Sequence, residues 1–232
     1  FVRSDGQPLS RGRLYRRGNA VCFSDLGEII TQIQSPAEQL ALVKALSRES
    51  TLLVKLKVDR STDVDALVRY WGRLGRTKDL QPLLESLKRI PGGTTIDIAH
   101  LLPAFARQRL YTYTLPLEDQ VERKQDCYWT AFNFFRQTPE DRYGDAASVK
   151  AAFAADYYIV QDEPTFGDII LLLNDRGMTI HAAVYIAEDI VFTKNGAGFA
   201  HPWILMESLD LQATYTGEKP PQMIVYRLKD SD

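Results

Sequence analysis

Only two cysteines and three histidines occur among the 232 residues, so few side chains offer nucleophilic or general-base chemistry. Cys127 stands in "QDCYWTAFNFF" directly after Asp126, a good N-cap residue, which places the thiol in the first turn of a helix. Unpaired amide N–H groups and the helix dipole favour a thiolate there, and the thiolate is the attacking species in acyl transfer. Taken alone, a cysteine beside Trp129, Phe132 and Phe134 is an ordinary core residue.

His181 changes that balance. It opens the strand "HAAVYI", where the alternation puts it on one face with Ala183 and Tyr185, and the small Ala182 and Ala183 leave room for another element. A Cys–His pair needs the base about 2.6–3.2 Å from the sulfur and a third group to orient the ring. The plain alternative is a strand-end histidine bonded to a backbone carbonyl. The chain returns through Thr193, Lys194 and Asn195. A two-residue turn sets Lys194 on the face of His181, and a three-residue turn sets Asn195 opposite it. Lysine cannot accept an imidazole N–H, whereas an asparagine carbonyl can. Asn195 is therefore the expected third group, with Thr193 next. His201, in "AHPW", is a rival that reads more simply as a turn. His100 reads as structural, and Cys22, in "NAVCFSD", as a buried inert thiol.

The elements that must hold these residues fall into two regions. "SPAE" at Ser35 to Glu38 is a capping box with proline at the first helical position, opening a helix through about Arg48. "TLLVKLKV" alternates as a strand. "STDVDALVRYWGRLG" has helical spacing with Gly75 as its stop, and "KDLQPLLESLKRI" repeats the pattern. "TTIDIAHLLPAFARQRLYTYTLP" predicts a short helix, a restart at Pro103 and an extended exit through Tyr111 and Tyr113. Residues 1–114 thus form a small α/β region with no grouping of catalytic residue types, and "TLPLEDQ" marks the boundary. In residues 115–232 a helix from Cys127 to about Arg136 is expected, then a turn at Thr138 and a helix over "DAASVKAAFAADY". "YYIV", "DIILLL", "IHAAVYI" and "DIVFTKN" follow as strands, the last two joined as a hairpin through "AED". A cysteine helix on an antiparallel sheet is an α+β layout.

Composition narrows the class of function. The chain carries 28 basic and 30 acidic residues for a net charge of −2, which gives no field for binding nucleic acid. The cluster Arg11, Arg13, Arg16 and Arg17 reads as a solvated basic turn. "IILLL" is far shorter than the ~20 apolar residues of a membrane-spanning helix, so no integral membrane segment is expected. Two cysteines make no disulfide framework, and no His/Cys/Asp cluster has zinc spacing. Neither metal nor cofactor is expected.

"DCYWTAFNFF", "PTFGDIILLL" and "HAAVYIAEDIVFTKNG" together resemble the NlpC-type cell-wall peptidases, a papain-like cysteine hydrolase superfamily. The shared pattern is a cysteine at a helix start, a proline and Gly-Asp leading into a strand, and a histidine opening the next strand. A polar residue on the strand after that completes it. Cys127, then Pro164, Gly167 and Asp168, then His181 match in order over roughly residues 110 to 215. The resemblance implies a papain-like hydrolase domain over 115–232 that cleaves an amide bond in bacterial peptidoglycan peptides, in the periplasm or outside the cell. The chain begins at Phe1, so a leader absent from this sequence is part of that expectation.

The resemblance makes Cys127 the nucleophile, His181 the base and Asn195 the third residue. It puts Tyr113, with Tyr111 second, near the oxyanion site, and Asp168 and Trp129 at the substrate groove. Tyr128 and Trp129 depart from the family, which has a small Ser-Gly pair after the cysteine. The alternatives are a papain-like acyltransferase or deamidase with another substrate, or a binding module of the same fold without turnover.

Overall fold

The computed structural model describes the backbone of residues 14–17 and 20–23, and residues 26–114 and 125–229 in full. Arg11, Arg13 and most of the "TLPLEDQ" boundary lie outside the described residues, as does the side chain of Cys22. The fold is mixed α+β. Strands β1 (Leu14–Arg17) and β2 (Ala20–Phe23) make a small antiparallel pair. Helices α1 (Leu26–Thr31) and α2 (Pro36–Leu46) follow, and α2 begins at Ser35, whose side chain accepts from the Glu38 amide at 3.4 Å.

Strand β3 (Lys55–Val58), helices α3 (Val64–Trp71) and α4 (Thr77–Lys88), and strand β4 (Thr94–Asp97) come next. β3 and β4 pair antiparallel, with Lys55 opposite Asp97. The start of "TTIDIAHLL" is thus a strand where the sequence predicted a helix. Its β-branched Thr94, Thr95 and Ile96 favour extended backbone, and Asp97 then caps a 3₁₀ turn over Ile98–Leu101. α5 (Ala104–Arg109) restarts after Pro103 as expected.

The second region is built on six antiparallel strands in the order β5-β10-β6-β7-β8-β9. These are β5 (Tyr157–Val160), β6 (Ile169–Leu173), β7 (Thr179–Ala187), β8 (Ile190–Lys194), β9 (Trp203–Glu207) and β10 (Gln222–Leu228). Three helices accompany them: α6 (Cys127–Asn133), α7 (Ala146–Asp156) and α8 (Ser208–Tyr215). α6 stops at Asn133, short of the expected Arg136. The Asn133 side chain donates to the Trp129 and Glu140 carbonyls and accepts from the Glu140 amide at 2.7 Å, which turns the chain there.

The sheet buries both faces. Ala182, Val184 and Ile186 face the larger core with Ile169, Leu171 and Phe192, beneath Phe132 and Phe134 of α6. Ala183, Ile170, Leu172 and Val191 face the other way and meet Leu211 of α8. Residues 54–110 do not form a core of their own. The Trp71 and Phe166 rings lie 4.8 Å apart, and the Tyr70 hydroxyl donates to the Ile186 carbonyl at 2.9 Å. One contiguous cluster joins Leu84 and Leu101 to Phe134 and Trp203, so residues 54–110 pack directly on the second region.

Candidate functional site

Asp126 caps α6, its carboxylate accepting the Trp129 amide at 2.9 Å. This fixes Cys127 at the tip of the helix. Ordinary helical spacing then sends Trp129 inward, where it is 2 % exposed against Phe105 and Trp203. Trp129 is therefore core behind the helix and does not line a groove. Tyr128 stays partly exposed, with the Thr179 hydroxyl against its own.

The thiol meets β7 at the backbone N–H of Ala182, the residue after His181. His181 lies on the face of Ala183 and Tyr185, as the alternation predicts, and that is not the face α6 covers. The helix covers the Ala182–Val184 side, while the His181 ring turns to the α8 side and stacks on Tyr215 at 4.2 Å and 19°. Tyr215, which stacks on the His181 ring, also lies near Cys127.

The ring is held by Thr193, whose Oγ1 lies 2.6 Å from His181 Nε2. Extending the Val184–Phe192 pairing along the hairpin sets Asn195 opposite His181 and Thr193 on the diagonal of the same face. A ring as long as imidazole reaches that diagonal neighbour. Asn195, the expected third group, stands one step further out. Its Oδ1 accepts from the Thr193 hydroxyl at 3.4 Å, and its Nδ2 donates to Glu49 Oε2 at 3.5 Å.

The order of donors in this chain favours one imidazole tautomer. A carboxylate can only accept, so Glu49 takes the Asn195 amide proton and leaves Oδ1 to accept the Thr193 hydroxyl proton. Thr193 is then placed to accept from Nε2–H, the tautomer in which Nδ1 carries the lone pair. Glu49 also binds His201, Oε1 to Nδ1 at 2.8 Å. His201, the sequence rival, thus acts on the far end of the chain and not on His181. Lys194 is wholly buried and donates to the Gly196 and Gly198 carbonyls at 2.8 and 2.7 Å.

Burial governs the protonation of the pair. It pushes the Cys127 thiol up to about 11, with the neighbouring Asp126 carboxylate adding to the effect and the Ala182, Tyr128 and Cys127 amides opposing it. The same cause holds the His181 imidazole down to about 3. The resting pair is neutral thiol and neutral imidazole, not the thiolate expected from the helix start. Loss of solvation outweighs the amide dipoles of so short a helix.

The other expected residues sit apart from this cluster. The Tyr113 hydroxyl donates to the Ser47 carbonyl at 2.9 Å and the Tyr111 hydroxyl to the Leu52 carbonyl at 3.0 Å. Both fasten the segment before α6 to the chain after α2. Asp168 is fully buried and accepts from Arg73 at 3.2 Å, from Arg227 at 2.7 Å and from the Thr165 amide at 2.8 Å. It is a structural hub. Gly167 before it adopts φ +87°, and a Cβ there would lie 2.3 Å from the Phe135 ring, so the Gly-Asp pair is a folding requirement.

Two residues that sequence reasoning missed belong to the cluster. Tyr215 lies on α8, whose Leu209 and Leu211 make no helical stripe, and Glu49 lies on a loop 146 residues before Asn195. Among the described residues, no group of three or more His, Cys, Asp or Glu side chains is placed to hold a metal ion. No described helix is long and apolar enough to cross a membrane. Comparison of the chain with protein-family models, with curated proteins and with solved structures gives no match.

Proposed function

We propose that Cys127 and His181 form the centre of a papain-like cysteine hydrolase, with Thr193 as the residue that orients the ring. The observation that carries this reading is the ordered chain from Glu49 through Asn195 and Thr193 to His181 Nε2. It leaves Nδ1 as a base next to the residue against which the Cys127 thiol lies. Because the pair is neutral at rest, attack and proton transfer occur together. Sγ bonds to the amide carbonyl carbon as its proton passes to Nδ1, and the Cys127 amide N–H supports the oxyanion. Collapse breaks the C–N bond, and His181 gives its proton to the leaving amine. Water then attacks the thioester, Nδ1 takes its proton, and that proton returns to the sulfur.

The proposed substrate is a peptide amide of bacterial peptidoglycan, met in the periplasm or outside the cell. The support is the sequence resemblance carried by Cys127, Gly167, Asp168 and His181. Incubation with muropeptides and, separately, with acylated lipids tests it, using Cys127→Ala as control. New free amines from muropeptides, absent with Cys127→Ala, are expected. Deacylation of lipid with intact muropeptides would move the reading to an acyltransferase, and equal activity in the Cys127→Ala protein would end the thiol mechanism. A second reading, a module that binds without turnover, is favoured by one feature: the Tyr215 ring stacked over a His181 only 1 % exposed. Muropeptide binding that survives Cys127→Ala, with no product from either protein, is the result that reading requires.

A further inference from the structure

A cavity of about 500 Å³ lies between α3, β3 and the turn of the β7–β8 hairpin. It sits at the Ala187 end of β7, about 20 Å along the strand from His181 at 3.3 Å per residue. Its volume falls within the range of small-molecule sites. The walls are aliphatic, with Leu56 and Leu67 among them, and three aromatic rings line it: Tyr70, Trp71 and Tyr185. The Tyr70 hydroxyl is taken by the Ile186 carbonyl.

The cavity wall carries one carboxylate, Glu188, and one ammonium, Lys55. Glu188 lines it from the hairpin turn, where it holds φ 51°. Burial first, and then the carboxylates of Glu188, Asp189, Glu163 and Asp168, raise the Tyr185 phenol above its ordinary value. Asp168 is compensated by Arg73 and Arg227, which leaves Glu188, Asp189 and Glu163 acting on the Tyr185 ring, while Lys55 sets an ammonium on the cavity wall.

We propose that this cavity is a binding site for an organic cation with an apolar body, an amine or quaternary ammonium carried on an aromatic or branched alkyl group. The apolar body fills the space between Leu56 and Trp71, and the cation rests among the aromatic walls toward Glu188. Aromatic faces attract a desolvated cation and offer nothing comparable to an anion. The site is separate from Cys127 and stands whether or not the thiol reading does.

Isothermal titration calorimetry at low salt with three matched probes tests this: 3-phenylpropyltrimethylammonium, 3-phenylpropanol and 3-phenylpropanesulfonate. The ammonium probe is expected to bind saturably at one site, at least about tenfold more tightly than the sulfonate, with the alcohol between them. Glu188→Gln should weaken the ammonium about two- to fivefold, and Glu188→Lys should remove most of the preference over the sulfonate. Both substitutions lie on an exposed turn, and thermal melting checks that the variants remain folded. Absence of saturable binding, equal affinity for the sulfonate, or an ammonium affinity unmoved in both variants would overturn the assignment.

Discussion

Replacing His181 by glutamine removes a buried titrating group while keeping a polar side chain for Thr193. The wild-type imidazole titrates at about 3 in the folded protein, against 6.5 for the free side chain. Between those values the unfolded chain binds a proton that the folded chain refuses, so stability falls as pH drops through this window and is fully present above it. At about 1.4 kcal/mol per pH unit, the interval from 6.5 down to about 3 corresponds to about 5 kcal/mol. Urea unfolding of both proteins at intervals from pH 7.5 to pH 4.5 isolates this contribution, because every other titrating group cancels in the difference. The stability of wild type minus that of His181→Gln should be flat above pH 6.5 and fall by about 3 kcal/mol by pH 4.5. A difference that stays constant with pH would show that His181 titrates normally in the folded state. The buried neutral base would then have to be abandoned.

Further outcomes follow from the same contacts. Cys127, with its thiol at about 11, should react slowly with iodoacetamide at neutral pH and about tenfold faster per pH unit up to that value; mass mapping of the labelled cysteine would contradict this by showing a plateau near pH 7. Thr193→Val should cost about 1–3 kcal/mol in urea unfolding by leaving His181 Nε2 unpaired in the interior, while Thr193→Ser restores it; equal stability of all three would mean the 2.6 Å contact contributes nothing. Asp168→Asn should cost about 3–5 kcal/mol, since it leaves the Arg73 and Arg227 guanidiniums without their buried carboxylate; thermal melting reads this, and an unchanged midpoint would refute the role as a hub.

What sequence could reveal about this site depended on range. Asp126 as cap, Cys127 as first helical residue and the β7–β8 hairpin all follow from neighbours a few positions away, and all three are present in the fold. Gly167 and Asp168 stood out as a pair, but their reason lies in tertiary structure: the Phe135 ring and two arginines. The polar partner of His181 was expected to be Asn195, with Thr193 next and His201 a rival, whereas the contact is made by Thr193. Choosing between them required knowing that Glu49 waits beyond Asn195 and draws its amide outward. Which face of the sheet the cysteine helix covers was not legible for a similar reason. Strand alternation gives the side of His181, and only the sheet's second covering helix, α8, shows which side that is. A short element such as β9, of five residues, left little periodicity to detect.

The polar chain that ends on Glu49 also bears on how the protein matures during synthesis. Leu52 bonds the Leu205 carbonyl at 2.9 Å, and Thr51 and Glu49 reach Leu205 and His201, contacts spanning more than 150 residues. Closures of that length are slow to form and come late in folding. At ribosomal speeds of about 5–20 residues per second, Glu49 is translated roughly ten to thirty seconds before its partners emerge. A nascent chain arrested before Thr193 would carry the cysteine helix but a His181 ring without its Thr193 partner. Any activity that depends on His181 would therefore appear only after the final hairpin and α8 have left the ribosome.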